Sequence, residues 1–170
     1  MGVLIHVDRL SNETEFFDLD EFLDAIRPWG EPLTWSICDL WATVAEQGCV
    51  YLTPSGTERV VTGDRARLDP VCGDIAAPMS FAALAAFAAC THQVIDGLFV
   101  GVEEGGLRRD LPRLFEDHIE YLHPDETWFR SYPLVVHAFD STYWRVFVRD
   151  DAAAGALRER FPHATELARW

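Results

Sequence analysis

The stretch Leu134 to Asp151, LVVHAFDSTYWRVFVRDD, decides the fold. Two runs of alternating apolar and polar residues flank Asp140-Ser141-Thr142, and the second run leads into Asp150 and Asp151, a residue type that caps helices. Such alternation marks strands, because successive side chains point to opposite faces. With a connection of two or four residues, Val135, His137 and Phe139 share a face with Trp144, Val146 and Val148, and that face is expected to be the buried one. The opposite face carries Leu134, Val136, Tyr143 and Phe147, broken by Arg145 and Arg149, and is apolar enough to be partly covered. A hairpin of this kind belongs inside a sheet.

Upstream of it, Asp110 caps an amphipathic helix whose stripe is Leu111, Leu114, Phe115, Ile119 and Leu122, stopped by His123-Pro124. Gln93 to Val102 reads as a strand, with Asp96-Gly97 as a bulge or a tight hairpin. Ser80 caps the Ala-rich helix FAALAAFAAC, whose small side chains imply burial all round, and residues 62–78 read as an irregular excursion. CVYL-TPSG-TERVV, Cys49 to Val61, is a hairpin, since Pro54 and Gly56 suit the second and fourth turn positions. Ser36 to Gln47 is read as a helix, with a strand through Thr34 to Trp41 as its rival. From Asn12 or Asp18 to Ile26 the residues Phe16, Leu19, Phe22, Leu23 and Ile26 recur at helical spacing, and Pro28 is expected to end that helix.

Val3 to Asp8, VLIHVD, is a first strand, and a last helix runs from Ala152 to Phe161, where Pro162 stops it. The expectation is a single α+β domain over residues 1–170. It has a mixed or antiparallel sheet, a C-terminal β-hairpin followed by a helix, and about five helices packed on the sheet.

The chain has 170 residues, 49% of them hydrophobic, enough to bury one sizeable core. Its formal charge of -14 argues against a grip on nucleic acid, which requires cations facing phosphates. All 14 basic residues are Arg; the absence of Lys excludes Schiff-base and P-loop chemistry. An Arg-only, Ala-rich chain suggests a bacterial source. Cys38, Cys49, Cys72 and Cys90 lie far apart without zinc-module spacing and read as small apolar residues of an intracellular protein. With neither a secretion signal nor a membrane-length apolar run, a cytoplasmic location off the membrane is expected.

The densest titratable group is EDHIEYLHPDE, Glu116 to Glu126, where His118, Glu120, His123 and Asp125 offer the groups a hydrolase or metal-dependent enzyme uses. Against that, His118 sits on the apolar stripe and His123 is five residues on, so the pair lacks the i,i+4 spacing that grips one metal. Cys90-Thr91-His92 pairs a thiol with an imidazole, but at the end of a helix whose dipole opposes a thiolate. His137 reads as a core or edge histidine. The run Gly101 to Gly106, GVEEGG, is no phosphate loop. No catalytic residue, metal or cofactor is assigned.

The charge pattern remains. Residues 1–50 hold ten acids and two Arg, net -8, and two helices set acids opposite their core stripes. These faces, Glu15, Asp18, Glu21 and Asp24 on the first and Glu116, Asp117 and Glu120 on the second, with Trp29 and Trp35 nearby, are expected to dock a basic protein partner. They point to a non-enzymatic binding role, of the kind an immunity or inhibitor protein has toward a basic target. Alternative readings are the small hydrolase or metal-dependent enzyme and a structural or chaperone-like homodimer subunit.

Overall fold

The computed structural model describes residues 2–8, 18–44, 49–52, 58–61, 66–68, 78–103, 126–139 and 143–169. Among them the chain forms three α-helices and a large sheet that is antiparallel throughout. The expectation of about five helices is thereby corrected: the protein is mostly sheet with few helices. Two causes account for the difference. One expected helix is a strand, and the expected helix after Asp110 lies outside the described residues.

The strands are β1 (Val3–Asp8), β2 (Thr34–Val44), β3 (Cys49–Leu52), β4 (Glu58–Val61), β5 (Ala66–Leu68), β6 (Met79–Ser80), β7 (Thr91–Val102), β8 (Leu134–Phe139), β9 (Tyr143–Val148) and β10 (Thr165–Arg169). The helices are α1 (Leu19–Gly30), α2 (Phe81–Cys90) and α3 (Asp151–Arg160), with a 3-10 helix at Glu126–Ser131. The main sheet runs β10-β1-β9-β8-β7-β2-β5, and the short β6 also pairs with β2. The β3-β4 hairpin pairs as expected from its turn residues, in a sheet of its own.

β2 occupies the stretch read first as a helix, so the rival reading is the correct one. Trp35, Ser36 and Ile37 are buried in succession, because both faces of the strand are covered. A strand buried on both faces loses the polar alternation that would reveal it. β7 continues straight through Asp96-Gly97 without a hairpin; the irregularity there is a register shift against β2 between Cys38 and Ala42.

The β8-β9 hairpin lies between β7 and β1, inside the sheet as expected, but its register differs from the expected one. Phe139 stands opposite Tyr143, so three residues connect the paired ends. The odd connection slips the pairing by one residue and exchanges the faces. Leu134, Val136 and Ala138 share a face with Trp144, Val146 and Val148, all buried in the core beneath the helices. Val135, His137 and Phe139 share the other face with Tyr143, Arg145 and Phe147. There Val135 and Phe147 join a second core with Leu4, Val100, Phe129 and Tyr132.

α1 begins at a capping box. Asp18 Oδ1 accepts from Leu19 N at 2.8 Å and from Val94 N of β7 at 3.3 Å, while Glu21 Oε2 accepts from Asp18 N at 2.9 Å. The helix runs past Pro28 to Gly30, correcting the expectation that Pro28 ends it. Proline forfeits the bond to the Asp24 carbonyl, and both residues are exposed, so water can satisfy that oxygen. At its end the Gly30 carbonyl accepts the buried Trp35 indole N–H at 3.0 Å, and a Cβ on Gly30 would lie 2.6 Å from the Phe81 ring.

α2 is capped by Ser80 Oγ, which accepts from Ala83 N at 3.2 Å. Phe81, Leu84 and Phe87 are buried, but Ala82, Ala86 and Ala89 are exposed, so the helix has an outer face instead of being enclosed. Alanine on that face conceals the amphipathic pattern. α3 is capped by Asp150, and the expected helix is followed by β10, an edge strand not expected from the sequence.

Phe22 of α1 links the layers, stacking on Phe161 at 4.5 Å and tilting against Trp144 of β9 at 4.8 Å. It is fully buried. Phe22→Ala is expected to lower unfolding stability by about 3–5 kcal/mol, the range for deleting a buried aromatic. Urea denaturation measures this, and a loss below about 1 kcal/mol would show that the layers do not depend on this contact.

Candidate functional site

At one end of the sheet the pairs Gly101↔Leu134 and Leu134↔Val148 bring the ends of β7 and β9 to the start of β8. The chain leaves β7 and β9 there through Glu103 and Arg149 and enters β8 through Pro133. Arg149 N donates to Pro133 O at 2.9 Å, which holds the exit from β9 against the entry to β8. Its guanidinium bonds Glu103 Oε1 at 3.2 Å and Ser131 O at 3.4 Å.

Between this strand end, the last turn of α1 and the first turn of α3 lies a cleft of about 330 Å³. Trp29, Leu33, Leu134 and Val148 supply its apolar lining, and Glu103, Arg149 and Asp150 its polar groups. Its volume is at the low end of the range for small-molecule pockets, about 300–1,000 Å³. The Asp150 carboxylate is committed through Oδ1, which accepts from Ala152 N at 2.7 Å and Ala153 N at 3.3 Å. The start of α3 therefore already has its anion.

A second polar group crosses the other face of the sheet. Arg145 stands opposite His6 on β1 and opposite His137 on β8, so the three form one cross-strand row. Tyr143 borders it, with its ring 4.7 Å from His6, stacked on Phe139 at 4.9 Å, and 5.2 Å below the Arg145 guanidinium. His137 is half-buried, and its Nδ1 is enclosed without a hydrogen-bond partner. Burial, with the nearby Arg145 adding to it, lowers the His137 pKa from 6.5 to about 4. The imidazole is therefore neutral at pH 7 and too weak a base to take a proton there, in keeping with a structural histidine.

Of the acids expected to meet a partner, Asp18 is the α1 cap, and Glu21 completes that capping box and accepts from Arg160 at 3.2 Å. Asp24 pairs with Arg27 at 2.6 Å. All three are thus engaged within the chain, as is Glu31, the C-cap of the helix, 3.7 Å from Arg27, while Asp20 is exposed in the first turn. Glu15, Glu116, Asp117 and Glu120 lie outside the described residues, as do His118, His123 and Asp125.

Trp29 is half-buried at the cleft, but Trp35 is fully buried and cannot meet a partner. Cys90 is at the C-terminal end of α2, where its thiol donates to Ala86 O at 3.3 Å, and the adjacent His92 is exposed. Among the described residues no three His, Cys, Asp or Glu side chains gather as metal ligands, and no helix is long and apolar enough to cross a membrane.

Sequence reasoning missed Glu103, Arg149 and Asp150 as a group. Glu103 and Arg149 are 46 residues apart, and only the pairing of three strands makes them neighbours. Comparison of the chain with protein-family models, with curated proteins and with solved structures found no match.

Between pH 6.5 and 4 the folded domain binds fewer protons at His137 than the unfolded chain does, so stability falls as pH drops through that window and levels off below it. The loss reaches up to about 3 kcal/mol from this group. His137→Gln is expected to flatten the window in urea titrations at pH 7, 5.5 and 4; an unchanged pH slope would assign the loss to other groups.

Proposed function

We propose that this protein is a non-enzymatic binding domain that captures a basic protein partner. The observation that carries the reading is where the positive charge goes. In a chain of net charge -14, Arg27 pairs with Asp24 and Glu31, Arg149 with Glu103, Arg158 with Glu166, and Arg160 with Glu21. These arginines are each engaged by the chain's own carboxylates, while Asp20 is exposed in the first turn of α1. A surface of this sign steers a cationic partner and repels nucleic acid or an acidic membrane surface. The role is that of an immunity-type or inhibitor protein that neutralises its target by covering it. A compartment in which such a partner is met, such as the cytoplasm, is part of the same proposal.

The test is affinity capture on the immobilised protein, followed by calorimetry with the purified partner. The expected partner is basic, binds with a Kd below about 1 μM, and loses at least tenfold in affinity between 50 and 300 mM salt. The double substitution Asp24→Asn, Glu31→Gln is expected to slow association several-fold with little change in folding. A neutral or acidic partner, or an affinity indifferent to salt, would refute the reading.

A further inference from the structure

We infer that the cleft between α1, α3 and the strand ends is an anchor site for an arginine side chain of that partner. This rests on the proposed binding role and assigns the place and chemistry of its central contact.

Three features select the occupant. The first is size and lining: a cleft of about 330 Å³ with Leu33, Leu134 and Val148 in its lining offers apolar surface to the methylene stem of an arginine. The second is Trp29, which makes no ring pairing or hydrogen bond with the described residues. Its indole is a flat surface on which a guanidinium stacks better than an ammonium does.

The third is unused acceptor capacity. Arg149 engages only Oε1 of Glu103, and the α3 cap uses only Oδ1 of Asp150. Glu103 Oε2 and Asp150 Oδ2 have no other partner among the described residues. Two carboxylates with open oxygens outweigh one guanidinium already bound to Glu103 and Ser131 O. The C-terminal end of α1 presents the negative pole of its dipole to the cleft, and the positive pole at the start of α3 is met by the Asp150 cap.

The Glu103–Arg149 pair does not block entry. Its side chains are 70% and 45% exposed, so solvent screens their attraction and sharing Glu103 with a second guanidinium costs little. A carboxylate accepting from two arginines is ordinary geometry for its two oxygens. A carboxylate-bearing ligand would instead have to displace Glu103 from Arg149 and face Asp150 as well.

The experiment is an NMR titration of the full chain with N-acetyl-arginine amide, with N-acetyl-norleucine amide and hexanoate as comparison probes. Saturable shifts of the Trp29 indole and of the Leu33, Glu103 and Arg149 amides are expected with the arginine probe. Glu103→Gln, at an exposed position, should weaken them at least fivefold, and Trp29→Phe should weaken them less. Shifts absent from the cleft, equal response to the norleucine probe, preferred binding of hexanoate, or indifference to Glu103→Gln would each overturn the assignment. Capture of a basic partner undiminished by Glu103→Gln would overturn the anchor site alone, whereas failure to capture any basic partner would overturn the binding role.

Discussion

The pairing of Phe139 with Tyr143 is the constraint on which the rest of the structure depends. It fixes which six residues of the central hairpin face the helices, and those six are apolar: Leu134, Val136, Ala138, Trp144, Val146 and Val148. A slip of one residue would turn one strand over and carry either His137 or Arg145 into that core, where an uncompensated guanidinium is among the costliest groups to bury. With the register set, Trp144 meets Phe22, and through it α1 and Phe161 are placed. The helix layer inherits its position from a three-residue connection.

The same register builds the end of the sheet. Gly101, Leu134 and Val148 are successive neighbours across three strands, so the chain segments that adjoin them at this edge must converge. Gly101 also admits the close approach of Leu33: a Cβ there would lie 2.7 Å from Leu33 Cδ1. The cleft is a consequence of strand order and register, with Leu33 seated against the sheet and Trp29 beside the opening. Its polar groups stand at the points where the chain leaves the strands, where conformations are least constrained by the ladder.

Much of the element order was legible, because caps and turns act locally. Ser80 and Asp150 cap the helices they were expected to cap, and the Pro54 and Gly56 hairpin pairs. What was illegible depended on nonlocal covering. β2 lost its alternation by being buried on both faces, and α2 hid its outer face behind alanine. The hairpin register turned on whether its connection had an odd or even number of residues, and composition does not encode that count. For the candidate site, the acidic excess and Trp29 were visible, whereas the Glu103–Arg149 pair could not be, because its proximity exists only once β7, β8 and β9 are aligned.

The acids divide into two kinds, and the division bears on what the surface is for. Asp18 and Asp150 hold helix N-termini through backbone N–H groups, contacts worth about 1 kcal/mol each that the fold would miss. The described ion pairs are different: most have a partner at least 45% exposed, and exposed pairs contribute about 0–1 kcal/mol. Stability therefore gives little reason to retain their carboxylates, and a net charge of -14 opposes compactness through self-repulsion. The proposed role assigns that excess of anions to a cationic partner. Glu103 Oε2 and Asp150 Oδ2, which have no partner among the described residues, stand with Trp29 at the cleft where that excess meets apolar surface.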